Sequence, residues 1–484
     1  MNQPSSRPLP RLVIAGLSGD AGKTLVSVGL ALLLRDRGVP VRGFKKGPDY
    51  IDAAWLTWAT GEPARNLDTW LMGPDLARAA FVEQGIDDGV NLIEGNRGIF
   101  DGGDAKGTHS TAELAKLLQA PVILVVNATK VTRTAVACVL GCQALDPDVR
   151  FAGVVLNQVS GPRHEQVLRE AIESTCELPV VGAVPRAESQ TLLPGRHLGL
   201  LTPEEHAVKD VLEAELRGLL GQAIDVDRLV AIAQQAPRLE AHAFEAELAR
   251  SVGRELGRPR RGDSGPVTIG YLLDSAFTFY YPENLEALEA AGATLVPISA
   301  MADSELPREL DALYIGGGFP ETHAAALTAN TGFLRSIRHA VGGGLPVYAE
   351  CGGLMLLSQA IWWQQRKYPM AGVLPFDVEM MTSPQGHGYT QLVVDGPNPF
   401  FESGASIRGH EFHYSHVLNG AGTVPTSCNV VRGTGCFPGR DGVVVNQAFA
   451  CYTHVHALAT PEWAAGVVAA ARRYHATTRR SDTQ

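Results

Sequence analysis

The stretch RLVIAGLSGDAGKT, residues 11–24, decides the fold of the first half of the chain. It begins as a short apolar run of β-strand character, Leu12–Ala15, and then breaks into a glycine-rich turn. After Lys23 and Thr24, apolar residues recur at helical spacing. A strand, a glycine turn and a helix in this order form the setting of a P-loop. There, backbone N–H groups surround phosphate oxygens, the lysine contacts the outer phosphates and the threonine holds Mg²⁺.

The predicted nucleotide-binding residues of this loop are Gly19, Gly22, Lys23 and Thr24, and Thr24 is also a predicted Mg²⁺ ligand. The spacing departs from the strict GxxxxGK[ST] pattern, because Leu17 stands where the first glycine belongs. The alternative interpretation is an ordinary strand-to-helix turn with a solvated lysine. The sequence GKT between a strand and a helix favours the P-loop.

The composition is that of an ordinary globular protein with an acidic balance. The 484 residues are 45% hydrophobic and 19% charged, and the formal net charge of −10 argues against a nucleic-acid partner. The first residues lack the apolar core of a signal peptide, and no run approaches the ~20 apolar residues of a membrane span, so no membrane partner is expected. Seven scattered cysteines do not resemble a disulfide framework, which indicates a reducing cytoplasm.

Charged side chains follow the second predicted strand, residues 39–44, in the run KKGPDYID at residues 45–52. Strands of an open α/β sheet end in loops that face the ligand. Two lysines and two carboxylates there suit contacts to phosphate and Mg²⁺, with Lys46 the predicted nucleotide contact and Asp49 a predicted metal ligand. A charged surface turn is the alternative, and the neighbouring P-loop makes it less favourable.

Three more apolar runs, residues 90–93, 120–127 and 151–157, have the composition of parallel strands buried on both faces. The first ends in Glu94, a carboxylate in the Walker B position for Mg²⁺ coordination. Asn157, at the end of the last, is a candidate for contacting adenine, although a plain strand-end asparagine is almost as good an interpretation. The alternation of strands and helices predicts a doubly wound α/β domain over residues 11–190.

The strand pattern fades from about Val180, and residues 204–256 have the pattern of largely acidic helices. RPRRGDSGP, residues 258–266, has the composition of a linker. Residues 191–265 are therefore predicted as a helical segment and linker. A second doubly wound α/β domain is predicted over residues 266–475, and it opens with a strand at residues 267–272.

The second domain contains a candidate nucleophile in LPVYAECGGLML, residues 345–356. A strand, a sharp turn of small residues around Cys351 and a helix form a nucleophile elbow, and the helix N-terminus is expected to lower the thiol pKa. Upstream, DALYIGGGFPE at residues 311–321 is a strand that runs into three glycines, a shape suited to presenting N–H groups to an oxyanion, so Gly317 and Gly352 are the predicted oxyanion donors. A buried, inert thiol is the better interpretation for the cysteines at positions 138, 142, 176, 428 and 436.

A histidine in CYTHVH, residues 451–456, is the candidate general base. His454 and His456 follow the apolar run VVVNQA, and either could be structural. A histidine pair beside a strand end, downstream of an elbow cysteine, favours a catalytic role.

These motifs resemble a known family. FKKGPDYID (residues 44–52), RNLDTW (65–70) and EGNRGIFDG (94–102) are similar to the synthetase half of the cobyrinate a,c-diamide synthase family, which resembles dethiobiotin synthetase. The order of elbow cysteine and C-terminal histidine resembles class I glutamine amidotransferases, in which the histidine commonly lies in His-x-Glu. Here His456 stands in place of the glutamate, so the group that orients His454 stays open. RGHEFHYS, residues 408–415, resembles a family hallmark and is interpreted as interdomain or substrate contacts rather than a metal site.

The resemblance implies ATP-dependent, glutamine-hydrolysing amidation of the a and c side-chain carboxylates of a tetrapyrrole, cobyrinate above all, in cobalamin biosynthesis. ATP and Mg²⁺ would be the cofactors, and glutamine the source of ammonia at Cys351 and His454. The matching carboxylates, which serve Mg²⁺ binding and substrate activation, are Asp49, Asp52, Glu94 and Asp101. Arg97 is a candidate for a substrate carboxylate.

Three alternatives stay open. Asn96-Arg97 departs from the EGVMG typical of cobalamin enzymes, so an amidase of sirohaem or another sirohydrochlorin-derived tetrapyrrole is one. A P-loop scaffold ATPase is another, disfavoured because the signature lysine of the partitioning ATPases would fall at Ser18. A plain cysteine hydrolase leaves the N-terminal half unexplained. A homodimer is expected, since two-fold dimers are the commonest soluble oligomers.

Overall fold

The computed structural model describes residues 5–186, 195–196, 199–206, 208–241, 266–419 and 424–481. The chain divides into two compact units, Met1–Glu245 and Ala246–Gln484. Within the described residues, no helix combines the length and hydropathy that a membrane span requires.

The first unit is built on a parallel sheet of seven strands in the order β4-β3-β5-β2-β6-β7-β8. In chain order the strands of the whole unit, including two small two-stranded sheets, are β1 (Ser5–Arg7), β2 (Arg11–Gly16), β3 (Val41–Lys46), β4 (Arg65–Leu67), β5 (Val90–Glu94), β6 (Val122–Asn127), β7 (Phe151–Val159), β8 (Val180–Pro185), β9 (Gly195–Arg196), β10 (Gly199–Leu200) and β11 (Leu239–Ala241). Its helices are α1 (Lys23–Asp36), α2 (Tyr50–Thr60), α3 (Pro74–Gln84), α4 (Thr111–Leu117), α5 (Thr134–Leu145), α6 (Pro162–Cys176), α7 (Lys209–Leu220) and α8 (Val226–Gln234).

The predicted doubly wound domain is confirmed, with one error at its edge. The strand pattern was predicted to fade from about Val180, but Val180–Pro185 is an edge strand that pairs in parallel with β7. The helices that follow pack on this unit: a Cβ at Gly29 of α1 would lie 1.8 Å from Leu220 of α7. The helical pattern predicted for residues 242–256 and the linker up to residue 265 lie outside the described residues.

The second unit contains a mixed sheet of ten strands in the order β13-β12-β14-β15-β24-β23-β22-β19-β20-β25, and a four-stranded sheet, β17-β16-β18-β21. The strands are β12 (Val267–Leu272), β13 (Ala293–Ile298), β14 (Ala312–Ile315), β15 (Val347–Glu350), β16 (Ala360–Trp363), β17 (Arg366–Pro369), β18 (Asp377–Met380), β19 (Gly386–Val394), β20 (Ser406–His413), β21 (Ser415–Leu418), β22 (Thr426–Arg432), β23 (Arg440–Val445), β24 (Ala448–Cys451) and β25 (His454–Val455). The helices are α9 (Pro282–Ala290), α10 (Ala324–Ala329), α11 (Thr331–Gly342), α12 (Gly352–Leu357) and α13 (Glu462–Ser481).

The ten-stranded sheet brings two distant segments of the chain together. Its parallel part runs from β13 to β24, and β24 then begins an antiparallel extension. β15 pairs with β24 so that Glu350 lies beside Cys451. The chain continues from β24 into β25, which pairs with β20 through His454 and His410. The elbow cysteine and the candidate base are therefore placed on neighbouring segments of one sheet.

Candidate active sites

The loop after β2 adopts the conformation that a P-loop needs. Gly22 has a φ of 98°, in the left-handed region, and it leads directly into α1. A Cβ at Gly22 would lie 2.1 Å from the amide nitrogen of Asn157, so only glycine fits there. That amide donates a hydrogen bond of 2.9 Å to the carbonyl oxygen of Ala21. Asn157 therefore supports the loop, and its predicted contact with adenine stays a prediction.

Lys23 is buried and folds back over this loop. Its ammonium group donates to the carbonyl oxygens of Ser18 at 2.9 Å and Gly19 at 3.1 Å. Burial and, next, the charge of Lys45 lower the pKa of Lys23 to about 8. These neutral acceptors can be exchanged for phosphate oxygens, which would stabilise the charged form.

The first turn of α1 faces a cluster in which Glu94 and Lys45 are buried and Asp52 is half-buried. Thr24 Oγ1 donates to Glu94 Oε1 at 2.8 Å and lies 3.4 Å from Asp52 Oδ1. The ammonium of Lys45 bridges the carboxylates, 2.6 Å from Asp52 Oδ2 and 3.1 Å from Glu94 Oε1. Three elements contribute to the cluster: Glu94 is the last residue of β5, Lys45 lies in β3 and Asp52 lies in α2.

Burial and the positive charge of Lys45 shift the pKa values of the two carboxylates in opposite directions. It raises the pKa of Glu94 to about 7, because desolvation outweighs the opposing charge of Lys45. Burial also raises the pKa of Asp52, but the charge and hydrogen bond of Lys45 outweigh it, so the pKa lies below its ordinary value. A carboxylate whose pKa is raised in this way gains most from a cation close by.

The cluster has the donor set that Mg²⁺ prefers. Thr24, Asp52 and Glu94 present only oxygen atoms, and hard divalent cations select such ligands. Glu94 Oε2 is buried and has no hydrogen-bond partner among the described residues, which leaves it available to a cation. The residues present therefore fit a magnesium ion.

The other predicted residues lie around this cluster. Asp49 caps α2, where its Oδ1 accepts from the N–H groups of Ile51 and Asp52, so its role as a metal ligand stays a prediction. Arg97 is exposed with a φ of 50°, and exposed Asp101 accepts from the N–H of Gly98. Both face solvent beyond the end of β5, where a large substrate can reach them.

Lys46 is the predicted nucleotide contact, yet its neighbour Lys45 makes the contacts to Asp52 and Glu94. Successive strand residues point to opposite faces of a sheet. The register pairs Lys45 with Glu94, which places the two side chains on one face. Lys46 lies on the other, where burial lowers its pKa and Asp68 opposes that shift. This contact depends on the pairing of β3 with β5, which the sequence of either strand alone does not reveal.

A cavity of about 320 Å³ lies at the carboxyl ends of β6, β7 and β8. It is lined by residues 129–132, Gln158, Ser160, His164 and Arg186. The P-loop follows β2, so the loop and the cavity both lie at the carboxyl edge of the same parallel sheet.

In the second unit, Cys351 lies at a sharp turn between β15 and α12. Its backbone has φ 46° and ψ −97°, a conformation that residues with a side chain rarely adopt. Its N–H donates to the carbonyl of Cys451 at 2.8 Å, which ties the turn to β24. A strained, well-anchored turn of this kind is the expected geometry of a nucleophile elbow.

The expected lowering of the Cys351 pKa is wrong. The thiol is only 5% exposed, and burial raises its pKa, followed by the charge of Glu321. The N–H of Gly352 opposes this shift, but α12 has only six residues, so it offsets little of the desolvation. Cys351 is therefore a neutral thiol at rest, and its activation depends on a base.

Cys351 and His454 both flank the glycine turn after β14. A Cβ at Gly317 would lie 2.4 Å from Cε1 of His454, so the imidazole packs directly on the backbone. On the other side, a Cβ at Gly352 would lie 3.0 Å from the backbone nitrogen of Gly318. The structure thus brings together the predicted nucleophile, base and oxyanion glycines; donation by Gly317 and Gly352 to an oxyanion stays a prediction.

The two histidines of CYTHVH have different partners. His454 Nδ1 lies 3.5 Å from Oε2 of Glu350, a residue that sequence reasoning did not single out. His456 accepts the N–H of Leu458 at Nδ1, and its Nε2 lies 3.7 Å from Glu283 Oε2. His456 is therefore held by its own loop and by α9.

We expect His454→Ala to slow glutamine hydrolysis by about 10³-fold or more, and His456→Ala by only about 10-fold, on the usual scale for removal of a general base. The reason is that His456 is buried against Glu283 and serves the packing of its loop. Initial rates of glutamate release check this, with near-ultraviolet circular dichroism of both variants as the control for folding. Equal losses, or a larger loss at His456, would show that His454 has been wrongly assigned as the base.

The RGHEFHYS segment is part of the buried wall of this site. His410 stacks on His454 with ring centroids 4.9 Å apart, and His413 stacks on Tyr452 at 3.7 Å. Glu411 accepts hydrogen bonds from the N–H groups of Thr434 and Gly435. Among the described residues no cluster of three or more His, Cys, Asp or Glu side chains forms a metal-binding group.

Comparison with known proteins assigns both units. Residues 12–201 match the CobQ/CobB/MinD/ParA nucleotide binding domain, and residues 268–462 match the CobB/CobQ-like glutamine amidotransferase domain. A cobyrinate a,c-diamide synthase of Magnetococcus marinus is 41% identical over 94% of this chain and 96% of its own length. Proteins of the same name are 39% identical in Syntrophotalea carbinolica (93% and 96% covered) and 38% identical in Archaeoglobus fulgidus (93% and 95%). This identity extends along nearly the whole chain, and the chain therefore belongs to the cobyrinate a,c-diamide synthase family.

Proposed function

We propose that the chain catalyses the ATP-dependent amidation of the a and c side-chain carboxylates of cobyrinate, with glutamine as the ammonia donor. The observation that carries this proposal is the pairing of two sites within one chain of this family. One unit has a P-loop beside two carboxylates, and the other has an elbow cysteine at the end of β15 with a histidine just after β24, the strand that pairs with β15. A glutamine-dependent amide ligase needs both.

The first unit would activate the substrate. A substrate carboxylate oxygen attacks the γ-phosphorus of ATP, which gives an acyl phosphate and ADP. Ammonia then attacks the acyl carbon, and phosphate leaves with the former carboxylate oxygen. Lys23 would turn from the loop carbonyls to the phosphates, and Asn157 would hold the loop in place. The cavity at the ends of β6, β7 and β8 is the proposed place of the base and ribose.

Magnesium bound by Thr24, Asp52 and Glu94 would neutralise charge on the transferring phosphoryl group. Lys45, already between these carboxylates, would keep them in place and add positive charge near the reacting oxygens. Exposed Arg97 and Asp101 would contact the rim of the tetrapyrrole.

The second unit would release ammonia. His454 takes the thiol proton, and Cys351 attacks the side-chain amide carbon of glutamine. His454 then protonates the departing ammonia, and water hydrolyses the resulting thioester to glutamate. The raised pKa of Cys351 makes this proton transfer necessary, since a thiolate is not present beforehand.

We also propose a cytoplasmic homodimer. All seven cysteines are free, as in proteins of a reducing compartment, and two-fold dimers are the commonest oligomers. Light scattering measures the molar mass in solution and so tests the proposed dimer.

Mass spectrometry of candidate tetrapyrroles after incubation with ATP, Mg²⁺ and glutamine tests the proposed function. Each amidation replaces an OH by an NH₂ group, so cobyrinate should lose that mass difference twice. Hydrogenobyrinate, sirohaem and nickel-sirohydrochlorin serve as comparison substrates. Amidation of a sirohydrochlorin-derived ring in place of cobyrinate would contradict the assignment of the substrate, and no amidation of any ring would contradict the reaction.

A further inference from the structure

Glu350 is the last residue of β15 and directly precedes the elbow cysteine. Its side chain is fully buried, yet each oxygen has a defined neighbour. Oε1 accepts the N–H of Val455 at 3.1 Å. Oε2 lies 3.4 Å from the hydroxyl of Tyr314 and 3.5 Å from Nδ1 of His454. The carboxylate is thus fixed by the backbone of the strand that carries the histidine.

Tyr314 can only donate to this carboxylate. Burial and, next, the charge of Glu350 raise the pKa of the Tyr314 hydroxyl well above its ordinary value, so the proton stays on the tyrosine. One oxygen of Glu350 therefore receives a backbone N–H, and the other faces a hydroxyl and an imidazole nitrogen. Catalytic contacts of this kind are often longer in ligand-free structures than in the complex with substrate.

Neither neighbouring histidine can replace Glu350 at His454. His456 is engaged with Leu458 and Glu283. His410 stacks on the face of His454, and burial together with the charges of His454 and His456 lowers its pKa well below the ordinary value. It is neutral and lies over the ring rather than at its Nδ1 edge. Glu350, by contrast, lies at the Nδ1 edge of His454, with its Oε2 3.5 Å from that nitrogen.

We propose that Glu350 is the positioning residue for His454, so that the triad of this enzyme takes its carboxylate from the residue before the nucleophile. This inference rests on the proposed glutaminase function and names the group that the missing His-x-Glu glutamate left open. Glu350 fixes the proton on Nδ1, which leaves Nε2 free to accept the proton of Cys351. It then stabilises the imidazolium until the proton passes to the leaving ammonia.

The arrangement follows from the elbow. Cys351 has a positive φ, so the chain reverses sharply between two consecutive side chains. The register of β15 with β24 then sets Glu350 beside the segment that leads to His454. One rigid strand end therefore supplies both the nucleophile and the carboxylate.

Glu350→Gln tests the proposal, because glutamine keeps the acceptor for Val455 and removes the charge. We expect kcat for glutamine hydrolysis to fall by about 10² to 10⁴-fold with little change in KM. Removal of a negative charge disfavours a protonated neighbour, so the acid limb of the kcat profile should move to lower pH. The titratable groups around His454 that this profile involves are Glu350, His410, His456 and Tyr314. Ammonium-driven synthesis should be unchanged.

Glu283→Gln is the matched control, since it removes the buried carboxylate that faces His456, the other histidine of CYTHVH. It should leave kcat within about threefold and the acid limb in place. Glu350→Asp keeps the charge and should recover part of the rate with the wild-type acid limb, which also covers the case in which Glu350→Gln does not fold. An active wild type with an unaffected Glu350→Gln variant, or equal losses in Glu350→Asp and Glu350→Gln with no shift of the limb, would overturn the assignment. A wild type that releases no glutamate would instead overturn the proposed function.

Discussion

Cys351→Ser is expected to abolish synthesis from glutamine while leaving synthesis from added ammonium largely intact. The substitution removes the nucleophile but keeps the size of the side chain and the turn at the end of β15. In the proposed mechanism the carboxylate is activated in the other unit, at Lys23 and Glu94, and this step does not need the thiol. Amide formation is followed by mass spectrometry with each nitrogen source in turn.

Cys436→Ser is a matched control, because it replaces another buried cysteine of the same unit. It should retain glutamine-dependent synthesis, apart from a loss of stability at its hydrogen bond to Asp441. If Cys351→Ser loses ammonium-driven synthesis while its melting temperature is unchanged, the two sites are not separate.

Lys23→Ala and Glu94→Gln are each expected to remove synthesis with either nitrogen source, by about 10³-fold or more. In the proposed mechanism both groups act before ammonia attacks: Lys23 on the phosphates and Glu94 on the cation. Glu94→Gln keeps the hydrogen bond from Thr24 and removes the charge. Basal glutamine hydrolysis in the second unit should persist in both variants and serves as their folding control.

Oxygen transfer makes this prediction sharper. Substrate labelled with ¹⁸O in its carboxylates should deliver the label to inorganic phosphate in the wild type, because the acyl phosphate loses that oxygen. Unlabelled phosphate would show that ATP hydrolysis is uncoupled from activation. Normal synthesis by Lys23→Ala would exclude the P-loop from the reaction.

The periodicity of the sequence predicted most of the first unit, because buried parallel strands are apolar along their whole length. β2, β5, β6 and β7 were each recognised to within about two residues. Val180–Pro185 was missed as a strand, because it is short, contains Gly182 and lies at the edge of the sheet beside β7. Lys45 was missed for another reason: its contact with Glu94 depends on the strand register, which single-strand patterns do not contain.

In the second unit, local motifs predicted the elbow and the histidine but not the carboxylate or the thiol chemistry. The sequence AECGG showed Glu350 beside Cys351, yet an adjacent residue in a strand is normally expected on the opposite face. Only the positive φ of Cys351 and the pairing of β15 with β24 bring Glu350 to His454. The Cys351 pKa is raised by burial and by the charge of Glu321, and both effects depend on tertiary structure that the local motif does not show.

The turn at Cys351 also limits how stable this protein can become. A non-glycine residue held at φ 46° and ψ −97° costs on the order of 1 to 3 kcal/mol, which the surrounding packing must offset. Evolution toward higher heat tolerance would gain that energy most directly by Cys351→Gly, and it would lose the nucleophile in the same step. Variants that keep activity must therefore find their thermal stability elsewhere, in helices and loops away from the elbow.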